Sequence, residues 1–273
     1  MTRFSALFRP LLSAALGAAC LLAAGAASAG DWRTTKAMER EVYFYTPERL
    51  EGRSAPLVIA VHSDFGNAQT FAKTMPIYQY ADRDRFRIAY IDGTEIQRRS
   101  RHRDWNAGDC CGDAAAQGVD DISFLKAAID GAVAQGLTHY ESVFLVGHSN
   151  GAMLTYRYAC TYPETIAGIV AVSGTLTPGG CADASGVEVL AVHGEADRIV
   201  PWEGGQGDTV ENFGFMSLRE TLNEMHRAGA NVELERLLRG RHAWGEIKAR
   251  FLHERGFPLT ERIADFVDEH AFR

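Results

Sequence analysis

A short apolar run that ends in a glycine-flanked serine constrains this chain more than any other stretch. Val143–Val146 is apolar and bounded by polar residues, which predicts a buried strand. The pentapeptide 147–151, Gly-His-Ser-Asn-Gly, follows it and leads into an apolar helical pattern beginning near Ala152. Ser149 is therefore expected on a tight strand-to-helix turn, where its backbone is strained and its flanking residues must be small. A lone glycine-flanked serine can also be an ordinary turn residue. Whether Ser149 is a nucleophile therefore depends on what the rest of the chain contains.

Strands and helices alternate along that rest. In order, the patterns predict an edge strand at 41–45, a buried strand at 56–61, a helix at 69–80, a strand at 86–91, a helix from 120 to 136, the strand before Ser149, a helix to 158, strands at 166–172 and 187–192, a helix at 217–228, a strand at 232–238 and a helix at 259–271. This alternation predicts an α/β fold, a mostly parallel sheet with helices on both faces, in a single domain. Functional groups in such sheets collect beyond the carboxyl ends of the strands.

The first 29 residues have the pattern of a secretory signal peptide. Arg3 and Arg9 precede the uncharged apolar run 11–24, and Ala27-Ser28-Ala29 is a typical cleavage site. Cleavage would leave a catalytic-sized domain at 30–273, secreted or periplasmic and without stable membrane insertion. An uncleaved membrane anchor and lipidation at Cys20 are the alternatives.

Charge and composition narrow the classes of partner. The formal net charge is −7, and the longest basic cluster, 98–103, is short and interrupted, so a nucleic-acid partner is not expected. Neither a linker nor an internal repeat divides the chain. The oligomeric state is left open.

Four cysteines follow the predicted cleavage site: Cys110, Cys111, Cys160 and Cys181. In an oxidising compartment an even number favours two disulfides, and the spacing is not that of a metal site. Because adjacent cysteines are poorly placed to bond each other, we expect Cys110 and Cys111 each to bond one of the two distant cysteines.

Two more strand ends carry residues that complete a catalytic set with Ser149. Asp197 follows the strand at 187–192, and His242 follows the strand at 232–238. The order serine, acid, histidine is that of α/β-hydrolases. In such a set His242 accepts the serine proton as general base, while Asp197 fixes the imidazole tautomer and stabilises the imidazolium.

Each member has rivals in the sequence. Glu195 is the alternative acid, two positions before Asp197. Five other histidines are alternatives to His242, and for these we expect roles in packing, in loop hydrogen bonds, beside the serine turn or at the surface: His62, His148, His193, His253 and His270. Only His242 opens the loop after a late strand, which favours it as the base.

The developing oxyanion requires preorganised hydrogen-bond donors. The first is predicted to be the backbone N–H of Asn150, at the start of the helix after Ser149. The second is expected from the loop after His62, from the N–H of Asp64 or Ser63. Four aromatic residues are candidates for the substrate pocket, with core filling as the alternative for the tryptophans: Phe65, Trp105, Trp202 and Trp244.

Together these motifs resemble the polyhydroxybutyrate depolymerase-like and feruloyl esterase-like family of α/β-hydrolases, which also includes acetylxylan esterases. The resemblance covers most of the chain after residue 30 and rests on five segments: the tryptophan and double-cysteine loop 105–112, Val-Asp-Asp-Ile-Ser-Phe-Leu at 119–125, the pentapeptide 147–151, His-Gly-Glu-Ala-Asp at 193–197 with Val200-Pro201, and His-Ala-Trp at 242–244. It implies a secreted serine esterase without cofactor or metal, with Ser149, Asp197 and His242 as its triad.

This chain departs from the family pattern at two places. The family usually has His-Gly at the end of the first buried strand, where this chain has His62-Ser63 followed by Asp64. Since a carboxylate beside an oxyanion raises the barrier, the Asp64 side chain is expected to point away. The lead into His242 is Arg239-Gly240-Arg241, which adds positive charge near the pocket rim.

The sequence therefore predicts hydrolysis of carboxylic esters, with hydroxybutyrate polymer or oligomers as the first substrate class. Feruloyl or acetyl esters of plant polysaccharide are the alternative substrates. A binding protein on a hydrolase scaffold, without catalysis, is the alternative of another class.

Overall fold

A computed structural model describes residues 30–95, 101–108, 110–209 and 213–271. The predicted signal peptide, residues 1–29, lies outside the described residues. The described chain contains one eight-stranded sheet, whose strands are β1 (Asp31–Ala37), β2 (Arg40–Thr46), β3 (Leu57–Val61), β4 (Arg87–Ile91), β5 (Val143–His148), β6 (Gly168–Val172), β7 (Glu188–Gly194) and β8 (Asn231–Leu237). Two short antiparallel pairs lie outside it, Thr94–Glu95 with Arg103–Asp104 and Gly205–Gln206 with Gly214–Phe215.

The spatial order of the sheet is β1-β2-β4-β3-β5-β6-β7-β8. The six strands from β4 to β8 in this order are mutually parallel. β1 and β2 pair antiparallel with each other, and β2 pairs antiparallel with β4. The carboxyl ends of the six parallel strands therefore share one edge of the sheet.

Helices cover both faces of the sheet. They are α1 (Ala68–Thr74), α2 (Tyr78–Asp84), α3 (Gly112–Ala116), α4 (Asp121–Ala134), α5 (Asn150–Ala159), α6 (Leu218–Arg227), α7 (Trp244–Arg255) and α8 (Leu259–His270). Buried residues of α4, α5 and α6 belong to one apolar core, and those of α1, α2, α7 and α8 belong to the other. The fold is the predicted α/β class, with a mostly parallel sheet between two helical layers in one domain.

The central strands are apolar on both faces because both faces are covered. In β3, Leu57, Ile59 and Val61 pack into one core while Val58 and Ala60 pack into the other. This alternation explains why the strand is a continuous apolar run in the sequence.

Two expectations about the elements were wrong, and one helix was not predicted. The strand predicted at an edge, 41–45, lies inside the sheet, because the polar and largely exposed β1 pairs along it. The helix expected at 69–80 is two helices, since Pro76 lacks the N–H that would continue α1. The helix that was not predicted is α7, which buries Trp244, Ile247 and Phe251 at helical spacing.

This architecture collects four loops at the carboxyl edge of the sheet. They follow β3, β5, β7 and β8, and they carry all the residues predicted for the triad and the oxyanion site. None of the helices in the described ranges has both the length and the apolar character needed to span a bilayer.

Candidate active site

Ser149 lies on the sharp turn between β5 and α5, as its sequence context predicts. Its backbone has φ 57° and ψ −120°, a conformation that costs energy for a residue other than glycine. A Cβ atom on Gly147 would collide with the backbone of Gly151, and one on Gly151 would collide with the carbonyl oxygens of Val61 and His62. Glycine at 147 therefore lets the turn close tightly on itself, and glycine at 151 lets it pack against the end of β3.

A continuous chain of hydrogen bonds joins the three predicted triad residues. Ser149 Oγ lies 2.8 Å from His242 Nε2, and His242 Nδ1 lies 2.8 Å from Asp197 Oδ2. Because a carboxylate only accepts, Nδ1 carries the ring proton and Nε2 is left to accept the serine proton. Ser149 is 9% exposed and Asp197 is 4% exposed, so water competes little with these bonds.

The turn after β7 holds Asp197 as an ionised acceptor. Burial favours its neutral form, but the hydrogen bond and charge of His242 outweigh that effect, so the pKa of Asp197 lies below its usual value. Its second oxygen accepts the N–H groups of Ile199 and Val200, each at 2.9 Å. The rival acid, Glu195, lies away from the histidine and accepts from Arg236 Nε at 2.6 Å.

Two other buried histidines hold the backbone around this set. His148 Nε2 lies 3.0 Å from the carbonyl oxygen of His242, and His193 Nε2 lies 3.0 Å from that of Val200. Burial lowers the pKa of His148 to about 3, and burial also lowers the pKa of His193. Both rings are therefore neutral at ordinary pH and donate to backbone carbonyls.

Asn150 begins α5, where its backbone N–H points out of the helix start. Its side chain is occupied elsewhere. Oδ1 accepts the N–H of Trp105 at 2.8 Å, and Nδ2 donates to the carbonyl of Trp105 at 3.0 Å. The serine turn is thereby fastened to the loop that carries Trp105.

Across the cavity, the loop after β3 contains the candidates for the second oxyanion donor. Ser63 and Asp64 both line the cavity. His62 Nε2 accepts the N–H of Gly93 at 3.1 Å, so Nδ1 donates to the carbonyl of Ser63 at 2.7 Å. Burial lowers the pKa of His62 to about 4. A neutral histidine thus holds the start of this loop.

Asp64 is one of the residues that line the cavity, and the direction of its side chain stays a prediction. Burial raises the pKa of this carboxyl group to about 6, although the N–H of Phe65 donates to its Oδ1 at 2.8 Å. At neutral pH Asp64 therefore adds a negative charge to a loop that lines the cavity.

The cavity over Ser149 has a volume of about 470 Å³. Its walls are mainly apolar, and the large side chains among them are Phe71, Met153, Ile199, Phe215 and Trp244. Sequence reasoning missed the first four. Only Met153 carries a detectable signal, since it lies four residues after Ser149 and so shares its face of the helix.

The four aromatic candidates have different positions. Phe65 is 64% exposed at the cavity rim, and Trp244 lines the cavity and donates to the carbonyl of Thr74. Trp105 does not line the cavity, because it is fully buried and donates through Nε1 to the carbonyl of His62 at 2.9 Å. Trp202 also lies outside the cavity wall and packs edge-on against His193.

The expected disulfide pairing was wrong. Cys160 bonds Cys181, and Cys110 bonds Cys111 across a cis peptide bond. The Cα atoms of Cys160 and Cys181 are 5.0 Å apart, a normal separation for a disulfide, because α5 ends beside the segment that carries Cys181. The adjacent cysteines then have only each other, and Cys111 lines the cavity.

The site shows no arrangement for a metal. In the ranges that the structure covers, no group of three or more His, Cys, Asp or Glu side chains could hold a metal ion.

A family model matches residues 41–206, and its description is esterase PHB depolymerase. The match covers more than half of the chain and includes Ser149 and Asp197. The chain belongs to this family. The matched region ends before His242.

Two relatives with curated names are fungal esterases. Feruloyl esterase B of Neurospora crassa is 28% identical over 166 residues, which are 61% of this chain and 54% of that protein. Acetylxylan esterase A of Emericella nidulans is 27% identical over 145 residues, which are 51% of this chain and 43% of that protein. The chain spans about half the length of the curated relatives it matches.

Among solved structures, the carboxylesterase of Bacillus cereus superposes with a TM-score of 0.61 and 16% identity, covering 85% of this chain and 95% of that one. At this identity the likeness concerns the α/β-hydrolase fold alone.

Proposed function

We propose that this protein is a serine esterase that hydrolyses carboxylic esters through an acyl-enzyme on Ser149. The observation that carries the proposal is the unbroken hydrogen-bond chain from Ser149 through His242 to Asp197, under a largely apolar cavity. Membership of the esterase PHB depolymerase family supports the same reaction class.

The reaction follows from the geometry. His242 Nε2 takes the proton of Ser149 Oγ as the oxygen attacks the ester carbonyl, and Asp197 stabilises the imidazolium that forms. The N–H of Asn150 and one N–H from Ser63 or Asp64 stabilise the oxyanion. The C–O bond of the ester then breaks, and His242 returns its proton to the departing alcohol. Water then attacks the acyl-enzyme carbonyl and gives a proton to His242 Nε2. As the bond between the acyl carbon and Ser149 Oγ breaks, His242 passes this proton to Oγ, which releases the acid and restores the free serine.

The substrate class is narrowed by the cavity and the relatives. An apolar cavity of about 470 Å³ is large enough for a short acyl unit with part of its leaving group. The family name favours hydroxybutyrate polymer or oligomers. The second candidate class is feruloyl or acetyl esters of plant polysaccharide, which the names of two relatives favour. Rates on hydroxybutyrate oligomers, methyl ferulate and acetylated xylan separate the two.

Export belongs to the same proposal. The pattern of residues 1–29 and the two disulfides both fit a secreted or periplasmic protein whose catalytic domain is 30–273. N-terminal sequencing of the exported protein tests this, and a chain that starts at Met1 or Cys20 would contradict it.

Hydrolysis of a p-nitrophenyl ester tests the reaction. We expect Ser149→Ala and His242→Ala each to lower kcat by about 10⁴-fold, because the serine and its base act as one unit. His253→Ala, on an exposed part of α7, is the control and should leave kcat unchanged. A folded wild-type protein without esterase activity would favour the non-catalytic binding protein instead.

A further inference from the structure

His148 joins the two chain segments that carry the nucleophile and the base. It is the last residue of β5 and directly precedes Ser149, and it is 5% exposed. Its Nε2 atom lies 3.0 Å from the backbone carbonyl oxygen of His242. Its ring also packs beside the rings of His242 and Trp244, with centroid separations of 5.5 and 5.4 Å.

In this contact His148 is the hydrogen-bond donor and the carbonyl of His242 is the acceptor. A carbonyl oxygen only accepts, so His148 Nε2 must carry the proton. The ring is neutral, because burial and the neighbouring His242 disfavour a positive charge and lower the pKa of His148 to about 3. The donor is therefore present at every pH at which the fold and the triad exist.

The two segments differ in how firmly the rest of the fold holds them. His148 lies in a central strand that is buried along its whole length. His242 lies between β8 and α7, in a loop where Leu238 is 54% exposed and Arg239 has a φ of 57°. The side chain of His242 is aligned by Asp197, but that bond alone does not fix its backbone.

We infer that His148 is a positioning residue for His242. This inference rests on the esterase mechanism proposed above. His148 directly precedes Ser149 in the sequence and donates to the backbone carbonyl of His242. In this way it sets the position from which His242 Nε2 approaches Ser149 Oγ. His148 also lines the cavity, but its role is distinct from that of a second base, since its Nε2 proton is donated to the backbone carbonyl of His242.

Removing the contact should slow the chemical step without weakening substrate binding. Misplacing a catalytic group by about 1 Å can cost on the order of 10²-fold, so we expect a 10- to 100-fold loss in kcat for His148→Leu, with KM within about twofold of wild type. Leucine fills most of the volume but donates no hydrogen bond. His148→Gln places a side-chain N–H near the position of Nε2 and should restore kcat to within about threefold of wild type.

A matched control measures the general cost of replacing a buried histidine by leucine. His270 is buried at the end of α8, beside Glu188 at the amino-terminal start of β7 and so at the opposite edge of the sheet. His270→Leu should leave kcat within about twofold of wild type, whatever it does to the melting temperature.

The experiment is a comparison of kcat, KM, melting temperature and the pH dependence of kcat/KM for the wild type and these three variants on one p-nitrophenyl ester. A loss confined to kcat in His148→Leu, restored in His148→Gln and with an unshifted pH profile, supports positioning. Equal loss in the glutamine and leucine variants, normal kcat in His148→Leu, or a displaced acidic limb would overturn it. Absence of hydrolysis by wild type would instead refute the esterase mechanism on which the inference rests.

Discussion

The two sides of Ser149 are built differently. On the proton-transfer side, His242 and Asp197 are joined by 2.8 Å hydrogen bonds, and buried neutral histidines hold the backbone of each loop. Every polar atom that moves or stabilises a proton has a fixed partner. This side is therefore prepared for the reaction before substrate binds.

On the oxyanion side the loop after β3 is less enclosed. In the proposed mechanism its second donor is the N–H of Ser63 or of Asp64. Both residues line the cavity, and Phe65 beside them is exposed in a left-handed conformation with φ 57°. A left-handed conformation is unfavourable for a bulky residue, and so is an exposed phenyl ring. The comparison suggests that proton transfer is fixed by the fold, while substrate preference depends on this loop.

The largest expected effect tests the proton-transfer side. Asp197→Asn should lower kcat by about 10⁴-fold, because the amide donates to Nδ1 and so favours the wrong tautomer of His242. Glu195→Gln is the matched control two residues away, and it should stay within about twofold of wild type because its partner is Arg236 at the surface. Steady-state kinetics on a p-nitrophenyl ester measure both. Similar losses in the two variants would move the acid away from Asp197.

A smaller effect, with a pH dependence, tests the oxyanion side. The pKa of Asp64 is raised to about 6, so we expect its carboxylate to oppose the developing oxyanion above that pH and to be neutralised below it. Asp64→Asn should raise kcat/KM by about 3- to 10-fold at pH 8, which is the cost of one nearby charge in a partly solvated site. The ratio of variant to wild type should approach one as the pH falls through 6. A ratio independent of pH would show that the charge does not face the reaction.

The same substitution has a consequence for stability with a definite sign. Because the folded pKa of Asp64 is above its unfolded value, the wild type loses stability as the pH rises from about 4 through 6. Asp64→Asn should therefore have the higher melting temperature at pH 8, and the difference should shrink at pH 4.

Substitution of Phe65, at the rim of the cavity, tests whether the loop after β3 improves substrate binding at the expense of stability. Asparagine tolerates a left-handed backbone better than phenylalanine, so Phe65→Asn should raise the melting temperature slightly. Loss of the apolar surface at the rim should raise KM for a p-nitrophenyl ester about fivefold. Phe65→Leu keeps an apolar side chain and the strained backbone, and should change both quantities less. A lower melting temperature in Phe65→Asn would mean that the ring stabilises the fold.

The smallest expected effect on activity comes from the disulfide between Cys160 and Cys181, which belongs to neither side of Ser149. Replacing Cys160 and Cys181 together by alanine opens a loop closed across a sequence separation of 21 residues. The free energy of unfolding should fall by about 3 kcal/mol, while kcat stays within about twofold of wild type. Denaturant unfolding and steady-state kinetics measure the two quantities. A large loss of kcat would show that the end of α5 reaches the site.

The sequence predicts the parts of this molecule that depend on local pattern. Ser149, Asp197 and His242 each follow an apolar strand, and parallel strands bring such residues to one edge, so their order along the chain was informative. The fold class followed from the same alternation. β1 escaped prediction because its exposed side chains leave no apolar pattern.

The features that the sequence did not predict depend on long-range contacts. A tryptophan in the sequence looks the same whether it fills the core or lines a cavity, as Trp105 and Trp202 illustrate. Only tertiary packing distinguishes these two roles. The pairing of Cys160 with Cys181 depends on where α5 ends in space. The contact between His148 and His242 joins residues 94 positions apart.

Covalent labelling by a fluorophosphonate, followed by mass spectrometry of the intact protein and its peptides, tests the central claim most directly. Such a probe reacts only with a serine whose base and oxyanion donors are in place. One adduct per chain, on the peptide that contains Ser149 and absent from Ser149→Ala, is the result we predict. A folded wild-type protein that takes no label, or an adduct on another residue, would contradict the assignment of Ser149 as the nucleophile.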